Sequence, residues 1–356
     1  MTIDDLLQSS GEWLAGGGPM GDVVISSRVR LARNVEGFPF LSRATAEQRR
    51  NIEQLLFQAI HACDFGRQTF YVNIEKSEPV DRQLLVERHL ISRQHADGEG
   101  CRGVAISPTE TLSLMINEED HLRMQVLRRG MNLDEAWNEI MLVDRTLEPA
   151  VDFAFHKQYG YLTACPTNVG TGLRVSVMLH LPALKLTNEL EKMFRAARDM
   201  RLAVRGLYGE GTEAIGDFFQ VSNQITLGQS EEEILDSFKM NVIPSIVNYE
   251  RQARTMLKTD KSAALQDRVW RALGLLQNAR AISTDEALYL LSHLRLGIVL
   301  ECVKHIDLQT ISELFIATQS AHLQKRSGHL LDDQGRSVAR AELIRDRLAR
   351  YRPGEN

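Results

Sequence analysis

The sequence is poor in cysteine and contains no long hydrophobic run. Its four cysteines are far apart and form neither a CxxC pair nor a Cys/His cluster at zinc spacing. No stretch approaches the ~20 apolar residues that a membrane span requires. The first eighteen residues contain three carboxylates instead of a basic start and an apolar core, which argues against a signal peptide. We therefore expect a cytoplasmic protein with reduced thiols and no membrane partner.

The chain also lacks an excess of positive charge. It has 42 Lys and Arg against 47 Asp and Glu, a formal net charge of −5. Proteins that bind nucleic acid usually present a basic face, so direct nucleic-acid binding is not expected. A chain of 356 residues exceeds one typical domain, and we expect one large and one smaller domain.

Local patterns predict mixed structure in the first two thirds of the chain. Thr45 with Gln48 forms a capping box that opens an amphipathic helix, and Ser230 with Glu233 forms another. Alternating apolar residues predict strands over 112–116, 175–181, 202–204 and 225–227. We interpret residues 1–255 as an α+β catalytic domain.

The pattern becomes purely helical after about residue 255. Apolar residues recur at helical spacing at Leu265, Val269, Leu273 and Leu276. Two further capping boxes are predicted, Ser283 with Glu286 and Thr310 with Glu313. Residues 256–356 are therefore predicted to form an all-helical C-terminal domain.

The first polar cluster lies directly after an apolar run, in Ser-Ser-Arg-Val-Arg-Leu-Ala-Arg-Asn (26–34). In a strand, Arg28 and Arg30 point to the same side because side chains alternate. Two guanidinium groups on one side favour an anionic partner, and phosphate matches their planar geometry. A solvated or salt-bridged strand edge is the alternative for this segment alone.

Three more clusters follow along the chain. Asn-Glu-Glu-Asp-His-Leu-Arg (117–123) places three carboxylates at a strand end, which suits joint binding of a cation and phosphate but is also typical of a surface turn. The segment 162–174 contains Cys165, Gly170 and Gly172, and its glycines allow close backbone approach to a ligand. A glycine-rich loop with Glu210 and Glu213 spans 204–213, where an ordinary surface loop is the alternative.

In this order, the four clusters resemble the signatures of the phosphagen (guanidino) kinases, which include creatine and arginine kinases. The block 117–123 and the block Cys-Pro-x-Asn-x-Gly-Thr-Gly-x-Arg (165–174) are specific to that family, and the resemblance covers about residues 20–240. It implies a phosphagen-kinase-like catalytic domain with an antiparallel sheet flanked by helices. It also implies transfer of phosphate from ATP to a guanidinium nitrogen, with Mg²⁺ carried by ATP and not bound directly by the protein.

The resemblance implies a set of nucleotide-binding residues. Five arginines would surround the ATP phosphates: Arg28, Arg30, Arg123, Arg174 and Arg205. His89 matches a histidine near the nucleotide, although the match is short and a surface histidine is the alternative. Further nucleotide contacts are implied at Ser26, Ser27, Val29, Val175, Ser176, Val177, Met178, Gly206, Leu207, Tyr208, Gly209 and Glu210.

The acceptor side of the reaction requires carboxylates. A guanidinium stays protonated at cellular pH, so its nitrogen becomes nucleophilic only when carboxylates hold it and accept a proton. The resemblance implies Glu119 as one catalytic carboxylate, and either Glu213 or Glu210 as the second. Cys165 matches the family's reactive cysteine, which would tune the acceptor without acting as the nucleophile. Tyr208 is a departure, because small-substrate arginine kinases carry an Arg there.

The layout favours a protein substrate. Metabolite kinases of the family place a helical domain of roughly a hundred residues before the segment that begins here at Ser26, and they end soon after the glycine-rich loop. This chain instead continues in helices, as in the bacterial branch that phosphorylates arginine in proteins. A kinase acting on free arginine or another small guanidine is the main alternative, and a catalytically silent nucleotide-binding adaptor is the second.

That bacterial branch implies further properties of the C-terminal domain. A phosphoarginine-reading pocket is built there on Arg-Asp-x-x-Arg-Ala, and the matching residues here are Arg336, Ser337, Arg340 and Ala341. Ser337 replaces the aspartate that would bind the guanidinium, so the sequence does not decide whether this allosteric site reads phosphoarginine. The branch also implies a homodimer, an activator protein (McsA), delivery of marked proteins to the Clp protease and a role in stress response.

Overall fold

The computed structural model describes residues 1–8, 11–66, 68–206 and 215–349. Within these ranges the chain forms ten strands and fourteen α-helices. The strands are β1 Val24–Arg33, β2 Phe70–Asn73, β3 Gly103–Ile106, β4 Leu112–Ile116, β5 Leu122–Arg129, β6 Phe155–His156, β7 Gly160–Tyr161, β8 Leu173–His180, β9 Leu202–Gly206 and β10 Phe218–Asn223.

The helices surround the strands and fill the C-terminal third. They are α1 Gly11–Leu14, α2 Ala46–Ala62, α3 Pro79–Glu87, α4 Arg93–Asp97, α5 Leu133–Leu147, α6 Pro182–Leu186, α7 Leu190–Asp199, α8 Glu231–Asp236, α9 Ile243–Asp260, α10 Ser262–Asn278, α11 Thr284–Val299, α12 Leu308–Ala317, α13 Ser320–Ser327 and α14 Asp333–Leu348. A π-helical turn, Ser237–Val242, joins α8 to α9. None of the helices in the described ranges is long and apolar enough to cross a membrane.

Eight strands form one antiparallel sheet in the order β2-β3-β4-β5-β1-β8-β10-β9, and β6 pairs with β7 in a separate hairpin. The predicted fold class, an antiparallel sheet flanked by helices with a helical C-terminal part, is therefore confirmed. The central strand β1 lies between β5 and β8, so that Arg30 lies opposite Gln125 on one side and Arg174 on the other.

Side-chain alternation along β1 divides the sheet into two faces. Val29 and Leu31 are fully buried on the face against which α5 packs. Arg28 and Arg30 lie on the opposite face, as the alternation predicts. Each buried aliphatic side chain stabilises this packing by about 1.5–3 kcal/mol. The apolar face thus packs the strand against the core, and the opposite face, with the arginines, can contact a ligand.

Most local predictions are confirmed, and two are wrong. Both capping boxes at Thr45 and Ser230 form, and Ser283 caps α11. Thr310, however, lies inside α12, because Asp307 upstream accepts the hydrogen bond from the Thr310 N–H at 2.6 Å. The strand expected over 225–227 is also absent from the described fold. β10 ends at Asn223, whose side chain donates to the carbonyl of Ile225 and helps the chain to leave the sheet.

The helical part packs directly on the catalytic part. Helix α9 runs through position 255, where the sequence predicts the domain boundary. One hydrophobic core contains buried residues from both parts. The carbonyl of Asp22, just before β1, accepts hydrogen bonds from Arg254 on α9 and Arg295 on α11. The division at 255 stays a prediction.

Candidate active site

The polar face of the sheet borders a cavity of about 820 Å³. Four strands bring arginine side chains to it: Arg28 and Arg30 from β1, Arg123 from β5, Arg174 from β8 and Arg205 from β9. Arg93 of α4 also lines the cavity, and the sequence analysis missed it. Arg93 belongs to no recognisable motif, so only its position in space identifies it.

The concentration of positive charge perturbs the arginines themselves. Arg28 donates to Ser176 Oγ at 3.3 Å and to Gln220 Oε1 at 2.5 Å. Burial and the charges of neighbouring arginines lower the pKa of Arg28 to about 9, and the same causes lower the pKa of Arg30 well below its usual value. The Nε of Arg30 is buried without a hydrogen-bond partner among the described residues. The cavity therefore favours a multiply charged anion.

Glu118 holds Arg123 in place. Its carboxylate accepts from Arg123 Nη1 at 2.6 Å and from Ser92 Oγ at 2.5 Å, and also from the N–H of Glu119. Burial alone would raise the pKa of Glu118, but the charge of Arg123 and these hydrogen bonds outweigh it and lower the pKa to about 2. Glu118 is thus a fixed anion that orients Arg123.

The next residue, Glu119, has a different environment. Its carboxylate lines the cavity and makes no hydrogen bond or ion pair with any described residue. Burial raises the pKa of Glu119, and the negative charges of Asp120 and Glu118 add to this against the opposing charge of Arg123. The carboxylate is available to a ligand that brings its own hydrogen-bond donors.

Asp120 and His121 connect segments instead of facing the cavity. Asp120 Oδ1 accepts from Asn34 Nδ2 and from the N–H of Ala164, both at 2.6 Å. His121 Nδ1 accepts from the N–H of Val35, so its Nε2 carries the proton and donates to a carbonyl. Of the three carboxylates in 117–123, Glu118 and Asp120 are engaged by protein donors, and joint binding of a cation and phosphate by this block stays a prediction.

The segment with Cys165 borders the same cavity as Glu119. Cys165 lines the cavity, and its Sγ is 3.0 Å from Thr167 Oγ1. Gly172 has a φ of +66°, and a Cβ there would lie 2.6 Å from the carbonyl oxygen of Ala32. The glycine predicted to approach a ligand thus packs against β1.

His89 lines the cavity at the end of α3, and the surface-histidine alternative is wrong. Its φ of +57° is unusual for a residue with a side chain. Burial, with the charges of Arg28 and Arg93, lowers the pKa of His89 to about 3, so the ring is neutral at physiological pH. The ring of Trp13 meets it edge-on at 5.3 Å between centroids.

The other predicted nucleotide contacts fall into two groups, according to the face of the sheet on which their side chains lie. Ser26, Ser176 and Met178 line a second, more apolar cavity that shares Arg28, His89 and Gln220 with the first. The structure does not bring four others to either cavity: the side chains of Val29, Val175 and Val177 lie in the core, and Ser27 donates to the carbonyl of Gly130. Gly206 ends β9, and five predicted residues lie outside the described ranges: Leu207, Tyr208, Gly209, Glu210 and Glu213.

The predicted phosphoarginine residues all lie on α14, but their side chains have separate partners. Arg340 is buried and donates to the carbonyls of Thr318 and Ile282, both at 2.8 Å. Arg336 donates to the carbonyl of Leu331 and pairs with Asp333. Ser337 donates to the carbonyl of Asp333, and Ala341 is in the core. Each guanidinium group is therefore engaged by protein partners of its own.

Two carboxylates near the cavity are already engaged by protein donors. Among the described residues, no group of three or more His, Cys, Asp or Glu is arranged to hold a metal ion. Glu118 and Asp120 already accept strong hydrogen bonds from protein donors.

Comparisons with known proteins agree with the geometry. Residues 51–253 match the family of the ATP:guanido phosphotransferase C-terminal catalytic domain, and residues 262–356 match the protein-arginine kinase McsB C-terminal domain. The chain is 46% identical over 351 residues to a protein-arginine kinase of Halothermothrix orenii, covering 98% of this chain and 99% of that protein. It is 42% identical to one of Bacillus pumilus, covering 98% and 96%.

Solved structures extend the likeness to the fold. A duplicated taurocyamine kinase from Schistosoma mansoni, with bound transition-state analogue components, is 27% identical with a TM-score of 0.61, covering 68% of this chain and 36% of that one. A lombricine kinase is 25% identical with a TM-score of 0.57, covering 67% and 68%. Both superpose on about two thirds of the chain.

Proposed function

The chain belongs to the ATP:guanido phosphotransferases and, within them, to the protein-arginine kinases, and from this premise we propose how its site performs the reaction. The protein is an ATP-dependent kinase that phosphorylates arginine side chains of proteins on a guanidinium nitrogen. The observation that carries the proposed site is the juxtaposition of Glu119, whose carboxylate has no described partner, with five converging arginines.

The arginine cavity is proposed to bind the phosphates of ATP. Phosphoryl transfer depends mainly on positioning and on neutralising the charge that spreads over the moving phosphoryl group. Arg28, Arg30, Arg123, Arg174 and Arg205 supply that charge from four strands of one rigid sheet. The neighbouring cavity beside Ser26 and Met178 would then take the less polar part of the nucleotide. Mg²⁺ would enter as the ion of MgATP, because the nearby carboxylates Glu118 and Asp120 already have partners.

Glu119 is proposed to hold and activate the acceptor guanidinium. A guanidinium nitrogen attacks the γ-phosphorus, a P–N bond forms, and the bond from phosphorus to the ADP oxygen breaks. The nitrogen must lose a proton, and the carboxylate of Glu119 accepts it. A second carboxylate from Glu210 or Glu213 would complete the grip on the guanidinium, and which of them acts stays a prediction. Cys165 borders the same space and would contact the acceptor.

The test compares Glu119→Gln with the unchanged protein and with Glu47→Gln, an exposed glutamate on α2. Each is incubated with MgATP, an arginine-rich unfolded protein and free arginine. Mass spectrometry should detect phosphoarginine on the protein substrate, with a rate that falls at least about 10²-fold in Glu119→Gln alone. ATP binding, measured by calorimetry, should persist in all three.

Two outcomes would contradict the proposal. Full activity of Glu119→Gln would remove the proposed proton acceptor. Phosphate appearing only on free arginine would favour the alternative, a kinase for small guanidines.

Further proposals rest on the resemblance to the protein-arginine kinases. We propose a cytoplasmic homodimer that acts with an activator of the McsA type and marks proteins for the Clp protease during stress. The phosphoarginine pocket at Arg336, Ser337, Arg340 and Ala341 also stays a prediction. The carbonyl partners of Arg340 argue against it, since binding phosphate there would break two buried hydrogen bonds.

A further inference from the structure

The helical part contacts the catalytic part through a buried polar cluster whose members do not line the arginine cavity. Its members are Glu87 and Arg88 at the end of α3, Glu110 between β3 and β4, and His322 on α13. All four side chains are 4% exposed or less. Such groups must satisfy one another, because burying an unpaired charge or hydrogen-bonding group is costly.

Glu87, at the end of α3 in the catalytic part, caps helix α13 of the helical part. The N-cap residue of α13, Gln319, provides no side-chain cap. Instead, the carboxylate of Glu87 accepts from the N–H of Ala321 at 2.9 Å and from the N–H of His322 at 3.2 Å. A carboxylate at this position satisfies N–H groups of the first turn and interacts favourably with the helix dipole.

The ring of His322 links Glu87 to Arg88. Its Nδ1 lies 2.8 Å from Glu87 Oε2, and its Nε2 lies 3.2 Å from Arg88 Nη1. Because an arginine can only donate, Nε2 accepts, and the proton resides on Nδ1 and is donated to Glu87. Burial lowers the pKa of His322, which agrees with a neutral ring. Arg88 is further fixed by two hydrogen bonds to the carboxylate of Glu110.

Arg88 begins the turn that reaches the nucleotide cavity. The next residue is His89, which lines the cavity with a positive φ, a conformation that persists only when its surroundings hold it. The carbonyl of His89 accepts from Gln125 Nε2 on β5 at 2.7 Å. At the far end of the turn, Ser92 donates to Glu118, which holds Arg123. The turn 88–92 is therefore held by β5 and Glu118 on one side and by the helical part on the other.

We propose that His322 is a positioning residue for the nucleotide, through which the helical C-terminal part sets the geometry of the turn 88–92. The inference rests on the proposed nucleotide site, and it assigns the helical part a role in ATP binding. His322 touches neither substrate. Its loss should therefore weaken ATP binding more than the binding of the protein acceptor, because the segment with Cys165 is held by Asp120, which does not contact the turn 88–92.

The experiment measures KM for ATP, KM for an unfolded protein substrate and kcat in the full-length protein. In His322→Ala we expect KM for ATP to rise about tenfold, the effect of leaving one buried donor or acceptor unpaired. KM for the protein and kcat at saturating ATP should stay within about twofold. His322→Asn keeps an N–H group near the position of Nδ1 and should restore part of the ATP affinity.

His329→Ala is the matched control. His329 follows α13 on an exposed surface, and within the described ranges its hydrogen bonds are to nearby residues of its own segment. It should change none of the three constants. Equal loss of kcat and of both affinities in His322→Ala, or no loss at all, would overturn the inference.

A second variant keeps the inference testable if His322→Ala does not fold. Glu87→Gln retains the side-chain volume but weakens the cap on α13 and the bond to His322, and the same selective rise in KM for ATP is expected. An unchanged KM for ATP in folded Glu87→Gln would contradict the proposed coupling. Arg30→Met tests the nucleotide site itself. If the KM for ATP of Arg30→Met is unchanged, the proposed nucleotide site is wrong. If that KM changes while the KM for ATP of Glu87→Gln does not, only the proposed role of His322 is rejected.

Discussion

At the scale of single residues, two adjacent glutamates differ because their neighbours differ. Glu118 accepts from Arg123 and Ser92, and its pKa is lowered to about 2. Glu119 has no such donors in the described part of the chain, and burial with the nearby negative charges raises its pKa. One carboxylate is therefore a permanent anchor for an arginine, whereas the other can exchange a proton with a bound guanidinium.

The raised pKa of Glu119 predicts a pH dependence. Glu119 must be ionised to accept a proton, so kcat should fall on acidification at a higher pH than the usual glutamate pKa of about 4.3 would give. Asp120→Asn removes one negative charge that raises the pKa of Glu119. The pKa should then fall, and the acid limb of kcat should move to lower pH. Rates measured across the acid limb would show the shift.

The control for this shift is Asp64→Asn, an exposed carboxylate after α2. It should leave the profile in place. The amide of Asp120→Asn keeps an oxygen that can accept from Asn34 and Ala164, so the turn can retain its geometry. An acid limb that stays fixed or moves to higher pH would mean that another group controls the profile.

At the scale of elements, the β6–β7 hairpin is fixed against the segment that contains Cys165. The N–H of Tyr161 donates to the carbonyl of Gly170 at 2.8 Å, and the guanidinium of Arg33 lies 3.5 Å above the Tyr161 ring. Gly160 has a φ of +73°, and a Cβ there would lie 2.3 Å from the Gly170 oxygen. Only glycine permits this approach of two backbones.

Substitution of this glycine should therefore be costly. Gly66 has nearly the same φ, +70°, but a Cβ there would meet nothing within 4 Å. Gly66→Ala should lower the free energy of unfolding by about 1 kcal/mol, the cost of a left-handed conformation alone. Gly160→Ala should lower it by about 2–4 kcal/mol, because the backbones must also separate. Urea unfolding of both variants measures the difference, and equal losses would show that the close approach contributes nothing.

At the scale of the whole molecule, the helical part is an integral support of the catalytic sheet. Arg295 on α11 donates to the carbonyls of Gly21 and Asp22 next to β1, and its Nη1 also lies 2.8 Å from the Nδ1 of His180 on β8. Ser292, one turn earlier, donates to Asp217 at 2.9 Å. Asp217 follows the segment 207–214, which contains both candidates for the second carboxylate. Hydrogen bonds of this kind link the helical part to the catalytic part, and the two parts also share one hydrophobic core.

This shared core predicts cooperative unfolding. The full-length protein should show one calorimetric transition, with calorimetric and van't Hoff enthalpies that agree, instead of separate transitions for 1–255 and 256–356. Arg295→Met removes the donor to the Gly21 carbonyl and one of the two donors to the Asp22 carbonyl, and should lower the temperature of that one transition. Two resolved transitions in the unchanged protein would mean that the parts unfold independently.

Local sequence patterns predicted those features that depend on neighbours in the chain. The alternation of Arg28 and Arg30 with buried residues and the cap at Thr45 follow from strand and helix geometry alone. The cap expected at Thr310 was wrong because Asp307 competes as a cap three residues earlier. The link between Glu87 and His322 joins residues 235 positions apart, and no local pattern could indicate it.

The sequence by itself determined the family, the fold class and the residue types of the site, because side-chain direction in a strand and the spacing of a motif are local properties. Only the tertiary structure decided which carboxylate is available, that the predicted valines face the core, and that the helical part reaches the turn beside His89. Ionisation and contact depend on charges and donors that folding brings together from distant parts of the chain.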